Sequence, residues 1–282
     1  MGLLIYDALV LAKTAATIAR TRRALTLGVP TLNFTPEALI HSLGDYPDLK
    51  DRFAQTLNFK GQKDFFSSLG FSQVDALDIS DYEGANIVGD LNDPDLASRI
   101  EGTYDLVYDS GTIEHIFDAP TALRNLARLV GIGGAIVHAT PANGFMDHGL
   151  WQLSPDLFRT FYREAGFSIL TSAVFVFADS PYAMRADENF YRKHGRKYIV
   201  EHFPEAVAVF AAIKTREVAS VRIGMQDYYQ SMHGDAASGH GSQFFLSFGS
   251  GKGTSQSREA AADPAEAGLR GLLAGIRRRI SG

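Results

Sequence analysis

A strand, a helix and a second strand, read from Tyr104 to Ala142, constrain this chain more than any other part of it. The apolar run Leu106-Val107-Tyr108 has the character of a buried strand. It stops at Asp109-Ser110-Gly111, where two polar residues and a glycine replace the apolar side chains. Glu114-His115 follows, and then Asp118-Ala119-Pro120, a helix start in which the aspartate caps and the proline sits in the first turn. Leu123, Leu126, Ala127 and Val130 recur at helical spacing and predict a face packed on a sheet. Gly131-Ile132-Gly133-Gly134 ends that helix, and Ala135 to Ala139 predicts a second buried strand. The two strands read as parallel neighbours with polar groups gathered where each one ends.

The same logic carries through the rest of the chain. Leu3 to Arg20 predicts a helix with a broad apolar face, which either packs over a sheet or lies on a membrane or a partner. Ala24 to Gly28 predicts a short strand, Pro36 to Leu43 a helix begun by Thr35, and Asp45 to Leu69 helical cover. Val74 to Ile79 alternates into a strand that ends in an acid, Asp78. Ala85 to Asn92 reads as the next strand, with only Ser80 to Gly84 between the two, so the crossover helix is reduced or missing.

Past the second strand of the opening stretch, Ala142 to Gln152 is a loop with two glycines, an Asp147-His148 pair and the only tryptophan. It reads equally as a substrate wall and lid or as a surface loop anchored by Trp151. Ser154-Pro155-Asp156 opens a helix that points Leu157, Phe158, Phe161 and Tyr162 inward; Phe167 to Phe177 and Ala206 to Lys214 are strands, and Ser180 to His202 a solvated helical excursion. Residues 233–257 read as a flexible linker in which Phe244-Phe245-Leu246 is suited to docking, and 258–282 as a basic amphipathic helix for a membrane surface, a protein partner or its own domain.

Tyr104-Asp105-Leu106-Val107, Glu114-His115, Asp118, Gly133-Gly134 and Thr140-Pro141 together resemble the class I S-adenosylmethionine-dependent methyltransferases that act on small molecules. The resemblance runs from about Ala24 to Thr215 and implies an α/β, Rossmann-like fold with a mostly parallel seven-stranded sheet flanked by helices. Residues 24–232 would form this domain, preceded by an N-terminal helix over 1–23. The implied activity is transfer of a methyl group from S-adenosyl-L-methionine to an oxygen or nitrogen of a small molecule or sugar. The rival expectation is a methyltransferase-like protein that binds or scaffolds without catalysis.

The resemblance also distributes roles. Asp78 would accept hydrogen bonds from the ribose hydroxyls, with Gly28 and Ile79 beside it. Asp90 would contact the adenine amino group while Leu91 packs on the ring, and Asp109, Ser110 and Gly111 would line the cofactor at the sheet's switch point. His115 and His148 are the candidate bases, with Asp147 a neighbour of His148. One departure stands out: where the family has a GxGxG loop after its first strand, this chain has Gly28-Val29-Pro30-Thr31-Leu32-Asn33, with one glycine and a stiff proline.

Composition narrows the alternatives. The net charge of -5 gives no basic field for nucleic acid, and the absence of cysteine removes disulfides, thiolate metal sites and cysteine nucleophiles. No stretch has the roughly 18 uninterrupted apolar residues of a membrane span. The apolar start is interrupted by Asp7 and followed by its basic residues, the reverse of a signal sequence, which predicts a cytoplasmic protein. No GxGxxG follows a candidate strand, no His and carboxylate spacing marks a metal site, and no GxSxG marks a hydrolase.

Overall fold

Among the described residues, the apolar runs found above become strands of one sheet or the helices that cover it. The computed structural model describes residues 2–177, 181–186, 188–195, 197–221 and 243–248. Helix α1 (Ile5–Thr17) leads into β1 (Arg23–Leu27); α2 (Pro36–Ser42), α3 (Pro47–Phe53) and α4 (Gln62–Ser68) precede β2 (Gln73–Asp78) and the short β3 (Ile87–Val88). After them come α5 (Leu96–Arg99), β4 (Tyr104–Asp109), α6 (Ala119–Leu129), β5 (Val130–Asn143) and α7 (Pro155–Glu164). The described chain continues with β6 (Phe167–Phe177), β7 (Tyr182–Arg185), α8 (Glu188–His194), α9 (Tyr198–His202) and β8 (Glu205–Lys214). Helix starts are set by side chains: Thr35, Asp118 and Ser154 accept hydrogen bonds from Ala38, Thr121 and Asp156 N–H, each with a proline in the first turn.

The strands lie in the order β3-β2-β1-β4-β5-β8-β6-β7. The pairs from β3 to β5 are parallel, while β8 pairs antiparallel with both β5 and β6. A five-stranded parallel half with the last strand inserted antiparallel beside it is the expected Rossmann-like methyltransferase architecture. Alternation along the strands divides the core: Leu106, Tyr108, Val137 and Val209 face α1 to α4, whereas Val107, Ile136, Phe210 and Ala212 face α6 and α7. Helix α1 buries Tyr6 to Ala12 in the first of these layers, so its apolar face is occupied by the sheet side of the protein.

Four expectations are revised. The sheet has eight strands rather than seven, because Tyr182–Arg185 pairs antiparallel with the free edge of β6 at Val176 to Ala173 where a helical excursion was expected. Gly131 to Gly134 does not separate helix from strand: β5 begins at Val130, and its register against β4 slips between Tyr104 and Leu106. Thr140-Pro141 lies inside β5, opposite Ala208 and Val207, in the part that extends beyond the last β4 partner, His138. A proline is tolerated there because that flank of the strand has no ladder to supply. Leu157 is partly exposed, at 38%, while Phe158 and Tyr162 are fully buried.

The short link between β2 and β3 is real, and Asn86 explains how it closes. Its Oδ1 accepts from Ala76 N–H (2.7 Å) and its Nδ2 donates to Asp75 Oδ1 (2.8 Å), so one side chain substitutes for strand pairing. The Phe244 to Phe248 segment does dock: Tyr6 donates to the Leu246 carbonyl (3.0 Å), Phe244 N–H donates to Leu170 O (2.9 Å), and Phe248 packs against Tyr6 and Phe175. The remainder of the expected linker and the whole 258–282 helix lie outside the described residues.

Candidate active site

Strand order reverses between the parallel neighbours β1 and β4, the place where open parallel sheets bind ligands beyond their strand ends. Three hydrogen bonds lace four strand ends together there. Gly28 N–H donates to Leu77 O (2.8 Å), Gly89 N–H to Asp78 O (2.8 Å), and Thr112 Oγ1 to Leu27 O (3.3 Å). Gly28 adopts φ +67°, which admits glycine readily, and a methyl group built on it would stand 3.4 Å from Asp78 Oδ2. Asp78 is half-buried; its Oδ1 accepts from Ser80 N–H (3.1 Å), while Oδ2 has no hydrogen bond among the described residues. Ile79, next in the chain, and Val88, its pairing partner on β3, are exposed, as is Tyr82 in the link between the strands. Asp90 is exposed and folds onto Asn92 (2.9 and 2.8 Å), and Leu91 is buried in the core.

The single-glycine turn has an unexpected brace. Leu3 bridges to Leu32 in parallel, donating to Thr31 O (2.9 Å) and accepting from Asn33 N–H (3.0 Å). The residues that replace the glycine loop are therefore held by the start of the chain.

Asp109 anchors a buried hydrogen-bond network at the end of β4. It is fully buried: Oδ1 accepts from Thr112 N–H (2.9 Å) and Oδ2 lies 2.8 Å from His138 Nδ1, whose Nε2 lies 2.7 Å from the Tyr162 hydroxyl. Phe158 stacks on the imidazole at 4.5 Å. The carboxylate thus fixes the turn after β4 and ties β4, β5 and α7 together. Ser110 and Gly111 are buried at the same strand end, Gly111 with φ +79°. His138 escapes a reading of the sequence because it sits in an apolar strand; the signal was the pairing register, which sets it directly opposite Asp109.

That turn presents Glu114 and His115, and the loop after β5 brings His148 to them. Leu150 and Trp151 N–H donate to the Glu114 carbonyl (2.8 and 3.1 Å), and the Trp151 indole donates to Ile116 O (3.0 Å). Gly149 makes this approach feasible, since a methyl group there would stand 2.9 Å from that carbonyl. Glu114 Oε1 lies 3.9 Å from His115 Nε2 and 3.7 Å from His148 Nε2. Asp147 is exposed in a left-handed conformation (φ 62°), so the acid beside His148 is Glu114 rather than its chain neighbour.

The electrostatics follow from burial. The Glu114 side chain is 0% exposed while those of His115 and His148 are 46% and 35% exposed. Burial, with the Asp109 charge second, pushes the Glu114 carboxyl up from 4.5 to about 8. Desolvation, followed by His148, pushes the His115 imidazole down. At neutral pH the arrangement holds a protonated acid behind a neutral, reachable imidazole, a setting that can accept a proton from an acceptor group.

The strand order and polar strand ends define a class I methyltransferase fold. No family model and no curated protein matches the chain. Among solved structures it is similar to TehB from Haemophilus influenzae, 13% identical over 74% of this chain and 62% of that one, with a TM-score of 0.40. It is also similar to the N-methyltransferase NodS from Bradyrhizobium japonicum WM9 in complex with S-adenosyl-L-homocysteine (10%, 75% and 86%, 0.40). A third is phosphoethanolamine N-methyltransferase 2 from Haemonchus contortus in complex with S-adenosyl-L-methionine (12%, 75% and 53%, 0.40). The chain therefore spans less than two thirds of TehB, and the fold assignment rests on its own strand order.

Proposed function

We propose that this chain transfers a methyl group from S-adenosyl-L-methionine to an oxygen or nitrogen of a small molecule. The observation that carries the reading is the Asp78 carboxylate at the end of β2, whose Oδ2 has no hydrogen bond among the described residues, beside Gly28 at the switch point. The residues fit the adenosine half: Asp78 Oδ2 is available to ribose hydroxyls, and Ile79 and Val88 offer exposed apolar surface to a purine ring. When bound, the cofactor supplies an electrophilic methyl on a sulfonium, a good leaving group that needs no metal. The chain orients it from the strand ends and accepts the acceptor's proton on His148 or His115, whose reachable imidazoles are backed by Glu114. Exposed Phe117, Met146 and Leu150 flank this cluster in sequence and favour an acceptor with an apolar body.

Calorimetric titration tests the reading. Micromolar binding of S-adenosylmethionine and S-adenosylhomocysteine, about -8 kcal/mol, is expected, and Asp78→Ala should weaken it by roughly tenfold or more, the loss of a charge-assisted hydrogen bond. No heat with either ligand, together with an unchanged melting temperature at saturation, refutes it. The braced, single-glycine turn favours a second reading in that event: a protein that keeps the fold for binding or scaffolding without methyl transfer.

A further inference from the structure

Glu114 poses a problem that methyl transfer leaves unsolved. Its side chain is wholly buried, yet neither carboxyl oxygen has a hydrogen-bond partner among the described residues. A carboxyl taken from water without such a partner is costly unless a cation completes it. Two imidazole nitrogens stand on its open side, at 3.7 and 3.9 Å, and one ligand atom from each of the three residues lies within 4.8 Å of the others. We propose that Glu114, His115 and His148 form a binding site for a divalent transition-metal ion, with zinc the best match.

The donor set selects the ion. Two imidazoles and one carboxylate suit zinc and its first-row neighbours, whereas magnesium and calcium need many more oxygens than the single carboxyl here provides. Donors bound at ~2.0–2.1 Å in a tetrahedron stand roughly 3.4 Å apart, so an ion draws these atoms together by roughly 0.3–1.4 Å. The backbone is prepared for that. His115 N–H is held by Thr112 O (3.0 Å), Thr112 N–H by Asp109 (2.9 Å), and the Glu114 carbonyl by two N–H groups of the His148 loop. Solvent reaches both histidines, which leaves a path for the ion and an open position on it.

The inference stands apart from methyl transfer, although the two share residues. An imidazole that holds an ion has no lone pair for a proton, so the loaded and empty sites differ chemically and base catalysis belongs to the empty one. Ion binding is read without cofactor or acceptor.

The experiment uses the full chain without a histidine tag, titrated calorimetrically with zinc chloride and, separately, with cobalt(II) followed by visible absorption. One ion per chain at micromolar affinity or better, with cobalt bands of a low-coordinate site, is expected. Glu114→Gln and His148→Ala should each weaken zinc by at least tenfold, and His41→Ala, on α2, should leave it unchanged. Because the glutamine variant is isosteric and His148 lies in a loop, both are expected to fold, and zinc should raise the melting temperature of the wild type but of neither variant. Absence of stoichiometric binding, or equal affinity in wild type, Glu114→Gln and His148→Ala, overturns the proposal. Zinc binding at the cluster with no S-adenosylmethionine binding upholds it while rejecting the methyltransferase reading.

Discussion

Replacing Asp7 with asparagine should make the protein more stable, by an amount that grows as pH rises from about 4 to about 7. Asp7 sits on α1 with 1% of its surface exposed; Oδ2 accepts from Leu4 N–H (2.9 Å) and from the Tyr108 hydroxyl (3.3 Å), while Oδ1 is unpartnered among the described residues. Burial outweighs these two bonds and pushes the carboxyl from 3.8 to about 7. Its ionised form is then about 4 kcal/mol costlier in the folded protein than in the unfolded chain. The sign follows from proton binding. Between pH ~4 and ~7 the folded state holds a proton that the unfolded state has lost, so stability is greatest below that window, falls as pH rises through it and levels off above. Asparagine keeps the accepting oxygen and cannot ionise, which removes the slope. The two proteins should match near pH 4 and diverge to about 4 kcal/mol by pH 8, roughly 8–16 °C in melting temperature for a chain of this size. Urea denaturation followed by circular dichroism, across pH 4 to 8.5, measures the gap. Curves that stay parallel over that range would refute the reasoning.

Substitutions at two further positions test the interior. Asp109→Ala strips His138 of its buried partner and releases the turn at Thr112, and should cost about 3–5 kcal/mol in the same denaturation assay; Asp109→Asn keeps an acceptor for Thr112 N–H and should recover more than half of the loss. Lys214→Met leaves the Ala127 and Val130 carbonyls without the buried ammonium that now donates to each at 2.9 Å, for an expected loss of about 2–4 kcal/mol. A loss under about 0.5 kcal/mol in either alanine or methionine variant would show that these contacts contribute little.

The parallel half of the sheet was legible because its main strands announce themselves by apolar runs and two of its helices, α2 and α6, by a cap and a proline. Thr35, Asp118 and Ser154 all cap as expected. What stayed hidden depends on partners distant in sequence. Tyr182 to Arg185 is strand only because β6 offers a free edge, and nothing in its own polar surroundings alternates clearly. Asp109 reads as a ligand-facing acid until the register sets His138 against it. The grouping of Glu114, His115 and His148 is invisible to spacing rules, which look for ligands on one helix or turn, whereas here a loop after β5 delivers the third residue. Gly131 to Gly134 misleads for a related reason: glycines end helices, but they also let a strand slip its register, and both occur within a few residues of each other here.

The turn after β1 sets how a cofactor would be held. A glycine-rich loop wraps the methionyl portion of the ligand and is ordered by doing so, which costs conformational entropy on binding. Thr31 and Asn33 are instead ordered by folding, through their hydrogen bonds to Leu3. Such a turn gives up contact with the methionyl half and spends less entropy, so affinity should be concentrated in the adenosine half, on Asp78 and the exposed apolar side chains near it. Adenosine alone is then expected to bind within about tenfold of S-adenosylhomocysteine, a difference of about 1.4 kcal/mol, and Asp78→Ala should weaken both by the same factor. Competition calorimetry gives the ratio directly. A ratio above about a thousandfold, roughly 4 kcal/mol, would mean that the methionyl half is gripped as firmly as by a glycine loop, and the argument from the braced turn would fail.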